Sequence, residues 1–277
     1  MKKILFSLII TSLFSYAKLN IIASILPEQA FIQAIGGDKV NVTLMVKPGN
    51  SPHTYEPKPS QMKDIARADL YLAMGVEFEK VWLPKFANQN PKMQIIDLSK
   101  GIKKYPISGT SSHETEHLDP HIWTSPENVK QIGQHILDAL ILADSDNQSY
   151  YQTNYTHFIQ SIEQTDQQLH EILDPLPETK RKFIVFHPSW GYFARAYHLI
   201  QIPIEIGGKS PKPRAVQKLI MQARKLKIHT ILTSPEFSDA VAKQIANELK
   251  IKVLKISPMN PKWNENLLKL ANAISNN

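Results

Sequence analysis

The sequence of 277 residues contains no cysteine, and this absence removes several classes of structure at once. It excludes disulfide bonds, so ordinary hydrophobic cores must hold the chain together. It also excludes thiolate ligands, which leaves imidazole and carboxylate as the strong ligands available for a metal such as zinc. The length suits either one large domain or two domains of about 120 residues each.

Long apolar runs are also absent, except at the N-terminus, where residues 4–14 are mostly hydrophobic. This segment is too short to span a bilayer. Two lysines precede it and Ser15-Tyr16-Ala17 follows, a pattern typical of a cleavable export signal over residues 1–17. We therefore predict a soluble exported chain that begins near Lys18. Since no cysteine stands at the cleavage site for lipid attachment, we predict the periplasm as its location and no membrane anchor.

A strong charge of one sign is missing too. The formal net charge of +7 falls to +5 when the signal, with two lysines and no acidic residue, is removed. Basic runs such as Lys180-Arg181-Lys182 lack the interleaved aromatic residues of a nucleic-acid groove. The sequence thus indicates a mildly basic, solvated surface and no nucleic-acid partner.

Strand and helix patterns alternate in two regions of the chain, before residue 75 and after residue 180. Short apolar runs of strand length are separated by segments with helical spacing, which indicates an α/β fold with parallel sheets and helical crossovers. The predicted strands are 19–25, 40–46, 70–73, 182–186, 230–233 and 252–256, and the predicted helices are 62–68, 215–225 and 238–249, with a further helix ending at Gly36-Gly37.

A single long helix is predicted between these regions, from Asn147 to Leu173. Apolar residues recur there at intervals of three, four or seven, and its seven turns span roughly 40 Å. Two prolines, Pro175 and Pro177, end it. Its position favours a spine between two lobes over an ordinary surface helix. The predicted domains are an N-terminal lobe over 18–146, a connecting helix over 147–175 and a C-terminal lobe over 176–277.

Three histidines stand in proline-bounded, aromatic-flanked segments. A lone histidine is more often a packed, hydrogen-bonded side chain than a ligand. Proline restrains the backbone where a ligand must be held, however, and binding residues favour loops on a rigid scaffold. The three segments are Ser51-Pro52-His53-Thr54-Tyr55-Glu56-Pro57, Asp119-Pro120-His121-Ile122-Trp123 and Phe186-His187-Pro188-Ser189-Trp190-Gly191-Tyr192-Phe193.

The positions of these histidines relative to the predicted strands strengthen the case for a site. Ligands of open α/β sheets bind beyond the carboxyl ends of the strands. His53 follows the strand 40–46 and His187 follows the strand 182–186, so each lobe offers one imidazole at its binding edge. His121 precedes a helix start with Ser125 at the N-cap and Pro126 at the first helical position.

Taken in order, these segments resemble the ZnuA-type substrate-binding proteins of zinc-uptake ABC transporters, within a larger group that captures zinc or manganese. The resemblance covers nearly all of the predicted mature chain. It implies two α/β lobes joined by one long helix, with a metal bound between them. It further implies a monomer that captures zinc in the periplasm and delivers it to a membrane permease. The motifs that carry it are residues 47–60, 68–70, 75–79, 119–123 and 187–195.

The resemblance also implies which residues bind the metal. His53, His121 and His187 match three ligand positions of the family. A histidine at the third position favours zinc, because manganese binders place a carboxylate there. The family often adds an Asp at the position that Ser257 occupies here, or a Glu at the position of Pro52. We therefore expect three imidazoles, with a water or a mobile side chain as the fourth ligand.

The source of a mobile ligand would be the segment 108–118, which contains His113 and His117. Zinc-specific relatives carry a longer loop rich in histidine and acidic residues at this point. Two interpretations of the short version stay open: a weak accessory zinc site, or a solvated polar loop.

Two alternative functions follow from the same three histidines. A zinc hydrolase or hydratase uses three imidazoles and an open position, and Glu56 or Glu205 could then act as its base. No His-Glu-x-x-His pair or comparable motif is present, so we predict that the chain is not an enzyme. A manganese or iron transport protein is disfavoured by the lack of a carboxylate ligand. Zn²⁺ is the predicted transported ligand.

Overall fold

The computed structural model describes residues 18–108, 118–205 and 211–276, and the export signal predicted for residues 1–17 lies outside these ranges. The described residues contain two four-stranded parallel sheets with helices around them. A long helix lies between the two sheets in the sequence. These features confirm the predicted α/β class with parallel sheets and a connecting helix.

The first sheet has the strand order β2-β1-β3-β4. Its central strand β3 is the uninterrupted apolar run Leu-Tyr-Leu-Ala, in which all four residues are buried. Such runs are typical of parallel strands that are covered on both faces. The elements are β1 (Leu19–Ala23), α1 (Leu26–Gly36), β2 (Val40–Leu44), α2 (Pro59–Ile65), β3 (Leu70–Ala73), α3 (Glu77–Gln89) and β4 (Gln94–Asp97).

The second sheet repeats this plan with the order β6-β5-β7-β8. In both sheets the strand order reverses direction at the first strand of the sheet, where a binding crevice forms at the carboxyl edge. The elements are β5 (Lys182–Val185), α6 (Gly191–Ala196), β6 (Ile200–Pro203), α7 (Pro213–Lys225), β7 (Thr230–Thr233), α8 (Ala240–Leu249) and β8 (Lys252–Lys255).

Three longer helices complete the described structure: α4 (Pro126–Ala143), α5 (Gln148–Leu173) and α9 (Trp263–Ser275). The helix α5 has 26 residues, or about 39 Å at 1.5 Å per residue, and starts one residue after the predicted position. It packs against α1, α4 and α9. Within the described ranges, no helix combines the length and hydrophobicity needed to cross a bilayer.

Alternate residues of β5 point into two different cores. Phe183 and Val185 belong to the larger core, which also contains residues of the first sheet, α4, α5 and α9. Ile184, between them, belongs to a smaller core with α7 and α8. The last helix therefore shares a core with the first strand, far from it in sequence. The domain boundaries predicted at residues 147 and 176 stay predictions.

Some element boundaries differ from the sequence-based ones. The helix α2 starts at Pro59, three residues before the predicted start, because proline suits the first helical turn. The strands β4 and β6 were not predicted, since their partly exposed sequences contain no continuous apolar run. Ser125 does occupy the N-cap position of α4, but its side chain makes no capping hydrogen bond there.

Two buried carboxyl groups are connected by one serine in the first lobe. The backbone N–H of Ser24 donates to Glu28 Oε2 at 2.9 Å, and its hydroxyl donates to Glu79 Oε1 at 2.5 Å. Burial raises the pKa of Glu79 to about 7. Burial, followed by the nearby Glu79, raises the pKa of Glu28 well above its ordinary value. Ionising Glu28 therefore costs folding free energy.

We expect Glu28→Gln to stabilise the metal-free protein at pH 8. A raised pKa in the folded state gives stability that is fully present below the ordinary value of 4.5 and is lost as the pH rises. Glutamine carries no proton to lose, and its oxygen can still accept the bonds from Ser24 and Ile25. The gain should be on the order of 1 kcal/mol or more at pH 8 and should shrink toward pH 5.

Thermal unfolding at both pH values measures this difference, with Glu163→Gln on the exposed face of α5 as the matched control. A parent protein that is at least as stable as Glu28→Gln at pH 8 would contradict a costly buried charge.

Candidate metal centre

The three histidines singled out in the sequence meet at one point. His53 lies in the loop between β2 and α2, His187 lies two residues after β5, and His121 immediately precedes a 3₁₀ turn, Ile122–Thr124. One ring nitrogen of each can be chosen so that all three lie within 4.8 Å of one another. The ring centroids are 5.0 Å apart for His53 and His187, 5.2 Å for His121 and His187, and 6.4 Å for His53 and His121.

This spacing suits a single small cation. A tetrahedral zinc with bonds of about 2.0–2.1 Å requires its nitrogens to be about 3.4 Å apart. Small side-chain rotations therefore bring the three imidazoles to ligating distance. The pocket around them is lined by Pro52, His53, Val76, Glu77, Pro120, His121, Trp123, His187, Glu236, Phe237, Pro258 and Met259.

Each imidazole has a carboxylate at its Nδ1 atom. The distances are 2.6 Å from His121 to Asp119, 3.1 Å from His187 to Glu205 and 3.3 Å from His53 to Glu77. A carboxylate at Nδ1 orients the ring and favours the tautomer with its proton on that atom. The other nitrogen, Nε2, is then free of its proton and is the one that can bind a metal.

Asp119 holds His121 most tightly. Its Oδ1 atom accepts hydrogen bonds from both the backbone N–H and the Nδ1 of His121, at 3.0 and 2.6 Å. Its backbone carbonyl accepts the Tyr192 hydroxyl at 2.9 Å. The carboxylate also comes so close to Gly191 that a Cβ atom there would collide with Oδ2. Glycine at the start of α6 thus makes room for the group that orients His121.

His187 is enclosed on the side of the second lobe. Its ring stacks on Phe237 with centroids 4.4 Å apart and an interplanar angle of 23°. Its side chain is only 6% exposed, and its buried Nε2 has no hydrogen-bond partner among the described residues. A buried polar atom without a partner is costly. A metal at this position would satisfy it.

His53 is the exposed member of the site. Its side chain is 29% exposed, against 7% for His121. Ser51 accepts a hydrogen bond from its backbone N–H at 3.3 Å, which helps to shape the turn. The opening of the pocket to solvent is therefore on the His53 side.

Burial keeps two of the imidazoles neutral. Desolvation lowers the pKa of His187 below its ordinary value, although the hydrogen bond that its ring donates to Glu205 opposes this change. Desolvation also lowers the pKa of His53, with Glu77 opposing it and the other two imidazoles adding to it. Because metal binding requires unprotonated imidazole, these shifts prepare the site for a cation at neutral pH.

Two tryptophans connect the loop of His121 to the C-terminal end of the chain. The indole N–H of Trp123 donates to the carbonyl of Pro258 at 2.8 Å, and that of Trp263 donates to the carbonyl of Trp123 at 2.7 Å. Trp263 of α9 thus fixes Trp123, which follows His121, and Trp123 in turn fixes the segment 258–259. Both segments line the pocket.

Ser257, considered in the sequence as the replacement for a family Asp, faces another side chain. Its hydroxyl donates to Glu236 Oε1 at 2.6 Å and accepts the backbone N–H of Met259 at 3.0 Å. Its neighbours Pro258 and Met259 line the pocket, whereas Ser257 does not. The residues His113 and His117 lie outside the described residues, and Glu56 is exposed and does not line the pocket.

The sequence analysis missed several acidic residues around the site. Asp119 and Glu77 belong to the motifs 119–123 and 75–79, but no contact with a histidine was predicted for either of them. Glu236 was not predicted to lie near the histidines. Glu236 follows the predicted strand 230–233, so the rule that pointed to His53 and His187 could also have found it. The contact between Glu77 and His53 joins the first residue of α3 to the loop after β2, and no local pattern indicates it.

The chain is similar to known proteins along most of its length. Residues 21–276 match the family model described as ZnuA, zinc-uptake complex component A, periplasmic. A crystal structure of ZnuA superposes with a TM-score of 0.88 at 39% identity, covering 94% of this chain and 98% of that one. A ZnuA deletion mutant with zinc bound gives 0.87 at 39% identity, over 94% and 97%.

A more distant relative carries the name of another metal. The manganese ABC transporter substrate-binding lipoprotein scaA of Streptococcus gordonii is 28% identical over 247 residues, which are 86% of this chain and 79% of the relative.

The electrostatics of the site can be checked by NMR. In the metal-free protein, the imidazoles of His53 and His187 should titrate below pH 6.5, because burial lowers the pKa of both. Glu205→Gln should lower the pKa of His187 further, since it removes a negative charge that favours the protonated ring. The control is Glu248→Gln, which changes an exposed carboxylate paired with Arg224. A midpoint at or above 6.5 for either ring would be inconsistent with a desolvated site.

Proposed function

The chain belongs to the ZnuA family of zinc-uptake components, and we propose that it captures zinc in the periplasm and delivers it to the permease of an ABC transporter. Metal capture for transport is the function of the proteins that it resembles. The proposal concerns zinc as the metal, the three histidines as its ligands, and the periplasm as the location after removal of residues 1–17.

The observation that supports this most strongly is the convergence of three imidazoles with their Nδ1 atoms occupied. His53, His121 and His187 come from segments up to 134 positions apart in the chain. One ring nitrogen of each nevertheless lies within 4.8 Å of the other two, close enough to surround a single cation. Orienting partners on all three rings are typical of metal-ligating histidines. The two buried rings show that the site excludes much of the solvent that would compete for the metal.

The ligand chemistry favours zinc over manganese. Imidazole suits zinc, whereas manganese prefers carboxylate, carbonyl and water oxygens. The three carboxylates nearest to the rings each lie against an Nδ1 atom, those of Asp119 and Glu205 as hydrogen-bond acceptors and that of Glu77 at 3.3 Å, and therefore act through the imidazoles.

The same contacts disfavour a zinc hydrolase. A hydrolytic site needs a base next to the metal-bound water. Of the two candidates from the sequence, Glu205 is bound to the far nitrogen of His187 and Glu56 lies outside the pocket. A binding protein also benefits from a site that is open on one side, as at His53, because the metal must leave again. We propose a monomer with a zinc ion and a permease as its partners.

Replacing any one of the three histidines by alanine should weaken zinc binding by orders of magnitude, because the removed imidazole is one of three direct ligands. His121→Ala is the most informative change, since this ring is buried and its removal leaves Asp119 without its partner. Competition titration with a zinc chelator measures the affinity. One tight zinc per chain is expected for the parent.

His157→Ala is the matched control, since it removes an exposed imidazole from α5 that lies outside the pocket. It should bind zinc like the parent. Parent-like affinity in His121→Ala would refute the three-histidine site, and stronger binding of manganese than zinc by the parent would refute the choice of metal.

A further inference from the structure

One carboxylate at the pocket differs from the others in what it contacts. Glu236 lies in the loop after β7, next to Phe237, which stacks on His187. It lines the same pocket as the three histidines. Glu77, Asp119 and Glu205 each meet the Nδ1 atom of an imidazole, whereas the described contact of Glu236 is with the hydroxyl of Ser257.

The two oxygens of Glu236 have different surroundings. Oε1 accepts the Ser257 hydroxyl at 2.6 Å. Oε2 is buried and has no hydrogen-bond partner within the described ranges. Leaving a carboxylate oxygen buried without a partner is unfavourable unless a proton, a water or a cation reaches it. The neighbouring pocket is the place where a cation is expected.

The charge of the site adds a second reason. Three neutral imidazoles contribute no negative charge to a bound divalent cation, and Glu77, Asp119 and Glu205 reach it only through the rings. In a partly buried pocket, the attraction between such a cation and a carboxylate is screened less than in water. Glu236 is a pocket-lining carboxylate whose second oxygen is not committed to any described residue, so it can respond to the cation directly.

We propose that Glu236 is the fourth protein ligand of the metal, binding through Oε2 while Ser257 holds Oε1. This proposal rests on the three-histidine site proposed above. The oxygens of Glu236 do not belong to the group of atoms that lie within 4.8 Å of one another, so the side chain rotates toward the metal on binding. Because Ser257 retains Oε1, the carboxylate binds through one oxygen only.

The hydrogen bonds around Ser257 support this role. Its carbonyl accepts the side-chain amide of Asn266 in α9 at 2.8 Å, and its hydroxyl is fixed by the backbone N–H of Met259. The serine is therefore a positioning residue that keeps Glu236 at the pocket wall. An acid at position 257 would put a second negative charge against Glu236, whereas a hydroxyl donates to it.

The proposal predicts a site with three nitrogens and one oxygen. Such a set still suits zinc, but the carboxylate makes the site more tolerant of manganese than three imidazoles and a water would be. Glu236 is accordingly a residue that tunes metal selectivity. Its removal should weaken manganese binding proportionally more than zinc binding.

The experiment compares the parent with Glu236→Gln, loaded with Zn²⁺, Mn²⁺ or Co²⁺ alone. The amide keeps the shape of the side chain but removes its charge. We expect about 10- to 100-fold weaker zinc binding in a competition titration, and a larger factor for manganese. Asp239→Asn, which removes a nearby negative charge paired with Lys243 and Lys255, is the matched control and should bind all three metals like the parent.

Co²⁺ absorption distinguishes a direct ligand from a distant charge. If Glu236 fills the fourth position, the spectrum of the parent should stay constant between pH 6.5 and 9. In Glu236→Gln a water fills that position, and since a metal-bound water loses its proton near neutral pH, the spectrum should change with pH. As a single change, Ser257→Ala should weaken zinc binding. Added to Glu236→Gln, it should have little further effect, since Ser257 acts through the Glu236 carboxylate.

The outcomes separate this proposal from the function itself. The proposal that Glu236 is a ligand would be overturned if Glu236→Gln had the metal affinities and the Co²⁺ spectrum of the parent. It would also be overturned if the Co²⁺ spectrum of the parent changed with pH as that of the variant does. Either result leaves the three-histidine site standing as long as His121→Ala loses its zinc. Glu236→Ala provides a second variant, and the unfolding midpoint of each metal-free variant shows that it has folded.

Discussion

The proposed metal site depends on one constraint: three imidazoles must present the same ring atom to a common point. A histidine can bind through either nitrogen, and the choice is made by the group at the other one. Here carboxylates occupy the Nδ1 atoms of His53, His121 and His187, from 2.6 to 3.3 Å away. Asp119 does this from within the same loop, and Glu205 from the far edge of the second sheet. The acidic residues are therefore as necessary to the geometry of the site as the histidines that they orient.

Much of this architecture could be predicted from the sequence because its signals are local. Alternating apolar runs and helical patterns indicated two parallel sheets, and the apolar spacing located α5 to within one residue at its start. The rule that ligands bind at the carboxyl ends of parallel strands pointed to His53 and His187. It worked because both histidines lie in loops that leave the carboxyl ends of their strands, His187 two residues after β5 and His53 nine residues after β2. The family resemblance and the structural comparison agree on the fold.

The remaining features are tertiary, and for that reason local patterns did not indicate them. The edge strands β4 and β6 lack continuous burial, so their sequences look like loops. The contacts of Glu77 with His53 and of Glu236 with Ser257 join residues 24 and 21 positions apart, which only the packed structure brings together. Position 257, where the family resemblance led us to expect an acid, instead holds a serine whose hydroxyl donates to the pocket-lining Glu236.

The hydrogen bonds from Trp263 to Trp123 and from Trp123 to Pro258 also have a consequence for the order in which the molecule matures. The helix α9 is far in sequence from β1 and His121, yet it lies in the same core as β1 and supports the loop that carries His121. The metal pocket is thus completed only when nearly the whole chain is available for folding. A chain in which α9 has not yet docked contains all three histidines but lacks the support that Trp263 gives to the loop of His121. Correct placement of His121 accordingly depends on the docking of α9.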